Sequence, residues 1–175
     1  MTEPQRILTQ LPLHPTPEVS SEPYRLLIDG AVVQVTELSI DDLRALAGEE
    51  LAEDFACLEG WVVPGQVWAG APLSAVLRLA QPSPQAAWVR VSFDSFVWPL
   101  PIERAGDALL ALDLNGGPLT REHGAPVRLV VRGGECFTSV KWVDRLELST
   151  TAGENTAEQI ARARIWGEPG GPALR

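Results

Sequence analysis

The chain has 175 residues, of which 45% are hydrophobic and 21% charged, and its formal net charge at pH 7 is −9. This length and composition are typical of one globular domain with a sizeable core, whereas the negative charge argues against nucleic acid or an anionic membrane as the main partner. No run of residues approaches the roughly 18 apolar residues of a membrane span, and no targeting segment is recognisable, so we expect a cytoplasmic protein.

The first part of the chain predicts an arm followed by two strands. Residues 1–23 are polar and rich in proline, and we expect them to form an extended N-terminal arm. Strands are predicted over 24–28 and 31–38, since both stretches are rich in branched and aromatic residues. Asp29-Gly30 between them is a typical hairpin turn pair.

A helix is predicted next, because Ser39 is a typical N-cap and Asp41 and Asp42 occupy the first turn, where the helix dipole favours negative charge. The helix is expected to end at Gly48. The acidic stretch 49–54 that follows is interpreted as an exposed, solvated face.

The segment after the acidic stretch contains a cysteine between a strand and a turn-rich region. We predict a strand over 55–58 that carries Cys57, and a loop over 60–70, where proline and glycine interrupt the aromatic residues. Proline is favoured at the first position of a helix, and Pro72 begins apolar 3/4 spacing that predicts a helix over 72–80.

The second half of the chain consists mainly of predicted strands, with Pro99 indicating a sheet edge. The strands are predicted over 88–93, 96–100, 108–114, 127–131 and 142–148. The tail 151–175 predicts a helix over 157–165 and a disordered end. Short strands outnumber helices and do not alternate with them, so we expect an α+β fold of mixed, mostly antiparallel sheets over the domain 24–150.

Cys57 is the first candidate for chemistry, since a thiolate is a soft metal ligand. Cytoplasmic cysteines are usually reduced, so Cys57 and Cys136 are expected to be free thiols or ligands. Zinc is disfavoured because there is no CxxC motif and His14 and His123 lack zinc-ligand spacing. Two alternatives stay open: a nucleophile paired with His123, and an inert buried cysteine.

A local cluster of positive charge is the second candidate. The basic side chains between 121 and 145 are Arg121, His123, Arg128, Arg132, Lys141 and Arg145. They reverse the sign of an acidic chain, and Lys141 is its single lysine. Arginine and lysine are the usual residues that hold phosphate, so the cluster predicts an anion site. The alternative is that two strands simply direct these charges to solvent.

Six segments follow one another along residues 24–148: YRLLIDG, LSIDDLRAL, CLEGW, WAGAPL, LNGGPLTREHGAPVRLVV and SVKWVDRLEL. In this order and spacing the chain resembles the oxidoreductase molybdopterin-binding domain of the sulfite oxidase family. The resemblance implies the sulfite-oxidase-like molybdopterin-binding fold and a molybdenum–molybdopterin cofactor. It further implies an oxidoreductase that transfers an oxygen atom in a two-electron reaction, with a separate electron-transfer partner and a small-molecule substrate.

The same resemblance assigns site residues. The cysteine before the EGW segment corresponds to the protein ligand of molybdenum, which implies Cys57. The HGAPVR and SVKW segments correspond to those around the pterin and its phosphate. The cofactor-binding residues so implied are His123, Arg128, Ser139, Val140 and Lys141.

Two departures from the family pattern favour alternative functions for this chain. GECFT places Phe137 and Thr138 where tyrosine and lysine are usual, and Asp94-Ser95-Phe96 replaces a common glycine–tyrosine turn. These changes remove hydroxyl groups and charge from the substrate side, which argues against sulfite or nitrate. The alternative functions are a non-catalytic module that binds the pterin cofactor or a partner, and a structural domain with an inert Cys57.

Overall fold

Two sheets form the framework of the protein, and the computed structural model describes residues 5–18 and 20–167. The strands are β1 Arg6–Ile7, β2 Leu26–Gly30, β3 Thr36–Leu38, β4 Glu49–Cys57, β5 Trp61–Pro72, β6 Trp88–Phe93, β7 Phe96–Pro101, β8 Ala108–Leu114, β9 Gly117–Pro118, β10 Arg128–Val131 and β11 Arg145–Ser149. The α-helices are α1 Ile40–Leu46, α2 Leu73–Leu79 and α3 Thr156–Trp166, and the short 3-10 helices are Ile102–Asp107, Arg121–His123 and Cys136–Thr138.

The five-stranded sheet has the order β3-β2-β11-β6-β7, in which β2 and β11 run parallel and the other neighbours antiparallel. The six-stranded sheet is arranged around β5, which pairs with β1, β4 and β8, while β8 also pairs with β9 and β10. Mixed sheets with a few short helices confirm the predicted α+β class.

Several predicted elements are confirmed with nearly the predicted bounds. The strands β6 and β8 begin and end as expected, and β7, which contains Pro99, lies at a sheet edge. Ser39 accepts a hydrogen bond from the backbone N–H of Asp42, whose carboxylate accepts one from the Ser39 N–H, so α1 begins with a capping box. Helix α3 ends at Gly167, which has a φ of 66°.

The loop predicted over 60–70 is wrong, because this segment is most of the longest strand, β5. Its side chains alternate, with Trp61, Val63 and Trp68 buried. The proline and glycine residues in this segment made the alternating pattern hard to recognise in the sequence. They are tolerated because the register of β5 shifts against β4 near Pro64, and shifts again against β8 at Gly70. The acidic stretch 49–54 likewise belongs to β4.

Three smaller predictions are also wrong. The strand predicted over 31–38 is reduced to β3, and Val33 and Val35 are exposed. Asp29 and Gly30 complete β2 instead of forming a hairpin turn, because a longer connection leads to β3. The last strand begins at Arg145, since the preceding residues form a turn.

The apolar side chains form two clusters on opposite faces of the six-stranded sheet. Leu110 and Leu129 face the main core between the two sheets, together with residues of α1 and α2. Their neighbours Leu109 and Val130 face a second cluster. The N-terminal arm covers this second cluster, since β1 pairs with β5 and Leu11 is buried there.

The C-terminal residues predicted to be disordered, 169–175, lie outside the described residues. Within 5–18 and 20–167, no helix has the length and apolar character needed to cross a bilayer.

The close pairing of β5 with β8 gives a direct test of the fold. A Cβ atom at Gly70 would lie 2.9 Å from the Cα atom of Ala111 and closer still to the Leu110 carbonyl oxygen. We therefore expect Gly70→Ala to lower the free energy of unfolding by about 1–3 kcal/mol, measured by urea denaturation. Gly106→Ala is the matched control, because its Cβ would meet no atom within 4 Å. Equal stability of the two variants would contradict the pairing.

Candidate functional site

Cys57 is the last residue of β4, and its side chain is 6% exposed in the second cluster. Phe55 lies two residues earlier on the same face of the strand, and its ring stacks against Trp61 with 6.2 Å between centroids. The predicted strand thus carries Cys57 into an apolar, aromatic environment.

The expectation of two free thiols is wrong, because Cys57 and Cys136 are joined by a disulfide. The two residues are 79 positions apart in sequence, so no local pattern indicated that they meet. Strand β4 contacts the 3-10 helix that begins at Cys136, and the two Cα atoms are 4.9 Å apart. Cys57 can act as a thiolate ligand only after this bond is reduced.

Arg128, the first residue of β10, is 4% exposed and faces the same cluster. Its guanidinium carbon lies 5.0 Å from the centroid of Phe55 and 4.9 Å from that of Trp68. Its Nη1 donates a hydrogen bond to the His123 carbonyl oxygen at 2.9 Å, while Nε has no partner. Burial lowers the pKa of Arg128 to about 9, because the charged form has lost its hydration.

Lys141 lies beside Arg128, and the two positive charges repel one another. Burial, and then the charge of Arg128, lower the pKa of Lys141 to about 7. Its Nζ donates to the Glu122 carbonyl oxygen and lies 5.5 Å from the centroid of Trp142. Gly124 permits this packing: it has a φ of +111°, and a Cβ there would lie 3.1 Å from the side chain of Lys141 and 3.2 Å from that of Arg128.

His123 brings an imidazole to the same place. Its Nδ1 is 3.1 Å from the hydroxyl oxygen of Thr120, whereas its buried Nε2 has no hydrogen-bond partner. Burial, followed by the charges of Lys141 and Arg128, lowers the pKa of His123. A neutral imidazole can still donate one hydrogen bond from Nε2 when Nδ1 accepts from Thr120.

The N-terminal arm contributes His14 to the basic cluster. The sequence did not indicate this contribution, because the arm has no periodic pattern of apolar residues. The pKa of His14 is lowered by burial and by the charges of Lys141, Arg164 and Arg128. The side chain of Arg121 donates to the Pro17 carbonyl oxygen at 2.8 Å and so ties the arm down.

Ser139 and Val140 have different surroundings. Ser139 is 5% exposed, and its backbone N–H donates to the Cys136 carbonyl oxygen at 3.3 Å. The Val140 side chain lies in the main core, and its carbonyl oxygen accepts from Leu129 at 2.8 Å. Their predicted contacts with a cofactor stay predictions.

Arg128 and Lys141 have no carboxylate in direct contact among the described residues, although the charge of Glu122 lies near enough to act against the lowering of the pKa of Lys141. In the described part of the chain, no carboxylate forms an ion pair with Arg128 or Lys141. Glu59 contacts the Trp61 indole N–H at 2.9 Å instead. Across the same residues, no three His, Cys, Asp or Glu side chains form a group that could hold a metal ion. Desolvated cations with free hydrogen-bond donors have the chemistry of an anion site.

Comparisons with known proteins give a consistent result. Residues 13–157 match the family described as the oxidoreductase molybdopterin binding domain. The catalytic subunit of protein-methionine-sulfoxide reductase from Pseudomonas syringae pv. tomato is 30% identical over 166 residues, covering 82% of this chain and 48% of that protein. Its counterpart from Xanthomonas axonopodis pv. citri is 34% identical over 140 residues, covering 68% and 42%.

A solved structure extends the likeness to the fold. The crystal structure of the sulfane dehydrogenase SoxCD from Paracoccus pantotrophus matches with a TM-score of 0.72 and 29% identity, covering 79% of this chain and 41% of that chain. The predicted sulfite-oxidase-like fold is thereby confirmed. The chain spans less than half the length of these relatives.

The unpaired charge of Arg128 predicts an unusual effect on stability. Without any added ligand, we expect Arg128→Met to raise the free energy of unfolding at pH 7 by about 1–2 kcal/mol, because methionine fills the space without a desolvated charge. Chemical denaturation measures the difference. The control is Arg132→Met four residues along, where the side chain is exposed and no change is expected. A loss of stability in Arg128→Met would show that the guanidinium is a net support of the fold.

Proposed function

We propose, from the premise that this chain belongs to the oxidoreductase molybdopterin-binding domain family, that it binds a molybdenum–molybdopterin cofactor and catalyses two-electron oxygen-atom transfer. The cofactor would lie on the face of the six-stranded sheet that carries Cys57 and Arg128. The observation that carries the proposal is the buried Arg128 with the partly buried Lys141 beside it, neither of which forms an ion pair with a carboxylate among the described residues.

The cationic residues fit the phosphate of a pterin cofactor. Arg128 Nε and His123 Nε2 are buried polar atoms without partners, and a phosphate oxygen could accept from both kinds of donor. Lys141 would contribute a point charge, and the absence of a side chain at Gly124 lets the side chains of Lys141 and Arg128 pack together against its backbone. An anion here would also offset the cost of burying two positive charges.

The sulfur donor fits after reduction. Cys57 is buried beside aromatic rings, and its thiolate would be a soft ligand of the kind that molybdenum accepts. Phe55, Trp61 and Trp68 would keep water away from this ligand. Water exclusion strengthens the attraction between the thiolate and a metal, because the local dielectric constant is low.

When bound, the cofactor would supply the two-electron redox chemistry of oxygen-atom transfer. The protein residues would bind and orient it: Cys57 would hold the metal end, while Arg128, Lys141 and His123 would hold the phosphate end. Phe137 and Thr138 are expected on the substrate side, where they present little charge.

We infer a neutral sulfoxide as the substrate class, since the relatives from Pseudomonas and Xanthomonas are catalytic subunits of protein-methionine-sulfoxide reductase. A separate redox partner would deliver electrons, as the chain has two cysteines and neither lies in a haem-attachment motif. The alternative of a cofactor-binding module without catalysis makes a different prediction: cofactor would be present but no oxygen transfer would be observed.

Cofactor content is the first test. We expect the reduced wild-type chain, produced in a molybdate-supplied host, to contain molybdenum and pterin near one per chain, by elemental analysis and fluorescence of the oxidised pterin. With a reduced dye as electron donor, it should reduce methionine sulfoxide more rapidly than it turns over sulfite or nitrate. Cys57→Ser should lower this activity by about 100-fold or more, the scale on which a single catalytic contact acts.

The matched control is Ala56→Ser, which adds the same hydroxyl one residue away on the opposite face of β4. It should retain cofactor and activity. Protein that carries neither metal nor pterin would refute the proposal, and pterin without turnover of any substrate would favour the non-catalytic module.

The pKa of Lys141 predicts a pH dependence for anion binding. The ammonium loses its proton as pH rises through about 7, while a bound anion favours the protonated form, so binding takes up a proton above pH 7. Affinity for sulfate, used as a non-titrating probe, should fall by up to about tenfold per pH unit between pH 7 and 8, a range that lies below the pKa of about 9 of Arg128. Calorimetry in buffers of different ionisation enthalpy measures the affinity for sulfate and the number of protons taken up on binding.

The charged groups around Lys141 allow the pH dependence of anion binding to be assigned to Lys141. Arg128 on β10 and Arg164 on α3 are cationic, His14 on the arm is neutral above pH 7 because its pKa is lowered, and Glu122 opposes them. Lys141→Arg is the matched variant, since arginine stays charged over this range and should remove the proton uptake. Unchanged proton uptake in that variant would assign the effect to another group.

A further inference from the structure

We propose that Cys57 and Cys136 form a thiol–disulfide modification site that determines whether Cys57 is available to bind metal. The inference rests on the proposed function for its consequence, although the redox pair itself can be tested without the cofactor. It gives Cys136 a role that neither the sequence motifs nor the family likeness assigns.

The two cysteines are placed for reversible bonding by different elements. Cys57 ends β4 in the second cluster, whereas Cys136 begins a 3-10 helix after Gly133-Gly134. Cys57 is 6% exposed, but Cys136 is only partly buried. An external thiolate can therefore reach the sulfur of Cys136 more easily than that of Cys57.

The turn that carries Cys136 is anchored independently of the disulfide. The Gly133 N–H donates to a carboxylate oxygen of Glu53 at 3.0 Å, and the Thr138 hydroxyl donates to the Glu135 carbonyl oxygen at 2.9 Å. The ring of Phe137 lies edge-on to Trp98 with 5.5 Å between centroids. These contacts would keep Cys136 next to Cys57 after reduction, so the bond can form again.

Reduction requires a dithiol as the co-reactant. One thiolate of the dithiol attacks the sulfur of Cys136, the bond between Cys136 and Cys57 breaks, and its electron pair leaves with Cys57 as a thiolate. The second thiolate of the reductant then attacks its own sulfur in the mixed disulfide and releases Cys136. The dithiol is oxidised by two electrons to a disulfide, and the protein gains two electrons, with protons taken from solvent.

The exposure of the two cysteines sets the direction of this opening. Cys136 is the more accessible sulfur and is attacked, so Cys57 is the sulfur that leaves as a thiolate. The same thiolate is the form that binds metal, so one cleavage both opens the bond and prepares the ligand.

The first experiment examines the cysteine pair in the purified 175-residue chain. After treatment with the oxidant diamide, wild-type protein should carry no thiol that iodoacetamide labels, and after dithiothreitol it should carry two, as read by intact mass under non-reducing conditions. Labels on both cysteines in diamide-treated protein would overturn the proposal.

The second experiment links the bond to cofactor binding. Oxidised wild type, reduced wild type and Cys136→Ser are each mixed with free molybdopterin and molybdate, and bound pterin and molybdenum are measured after gel filtration. Reduced wild type and Cys136→Ser should load equally, and Cys136→Ser should load the same with and without dithiothreitol. Oxidised wild type should hold at least about tenfold less molybdenum, because a bonded cysteine cannot be a ligand.

The outcomes separate this proposal from the proposed function. Equal loading of oxidised and reduced wild type, with the disulfide intact by mass, would overturn the modification site and leave cofactor binding standing. Failure of reduced wild type and of folded Cys136→Ser to bind any pterin would overturn the cofactor assignment, and with it the consequence proposed here. Circular dichroism of Cys136→Ser establishes that the variant is folded.

Discussion

Strand β5 is the element on which the rest of the structure depends, because it pairs with β1, β4 and β8. Through β4 it fixes Cys57 opposite Trp61, and through β8 it positions β10 and therefore Arg128. Through β1 it also holds the N-terminal arm over the second cluster. The thiol and cation halves of the candidate site come from distant parts of the sequence, and a single long strand sets the distance between them.

This arrangement of strands also buries the positive charge of Arg128, which is unfavourable. Arg128 is enclosed by aromatic rings, and burial lowers its pKa; burial and then the charge of Arg128 lower the pKa of the neighbouring Lys141. Buried cations in proteins are usually paired, and in this chain even the exposed Arg145 forms an ion pair with Asp29. Two neighbouring cations without a carboxylate partner lower the stability of the fold, and such losses of stability are common where a ligand must bind.

The sequence predicted the local elements well and the contacts between distant segments poorly. Ser39 and the alternation of β6 have local causes, a side-chain cap and a half-buried face, so both could be predicted. The strand over 61–72 was missed because Pro64 and Gly65 signal a loop, while the pairing with three other strands outweighs that signal. The disulfide and the position of His14 could not be predicted, since they depend on segments that only the fold brings together. His123, Arg128 and Lys141 were indicated by their charge, and the structure places these three together.

Cys57 and Arg128 are linked through Phe55, which lies two residues before Cys57 on the same face of β4 and stacks under the Arg128 guanidinium. Under the proposed function, a bound anionic cofactor would offset the cost of burying the charge of Arg128, and the reduced Cys57 would be its ligand on the same face of the sheet. The positive field there comes from several side chains and not from Arg128 alone. Beyond the effect of burial, Lys141, Arg164 and Arg128 each lower the pKa of His14, and Arg128 and Arg164 lower that of Lys141, so basic side chains from the arm, β10 and α3 act on one another across this face.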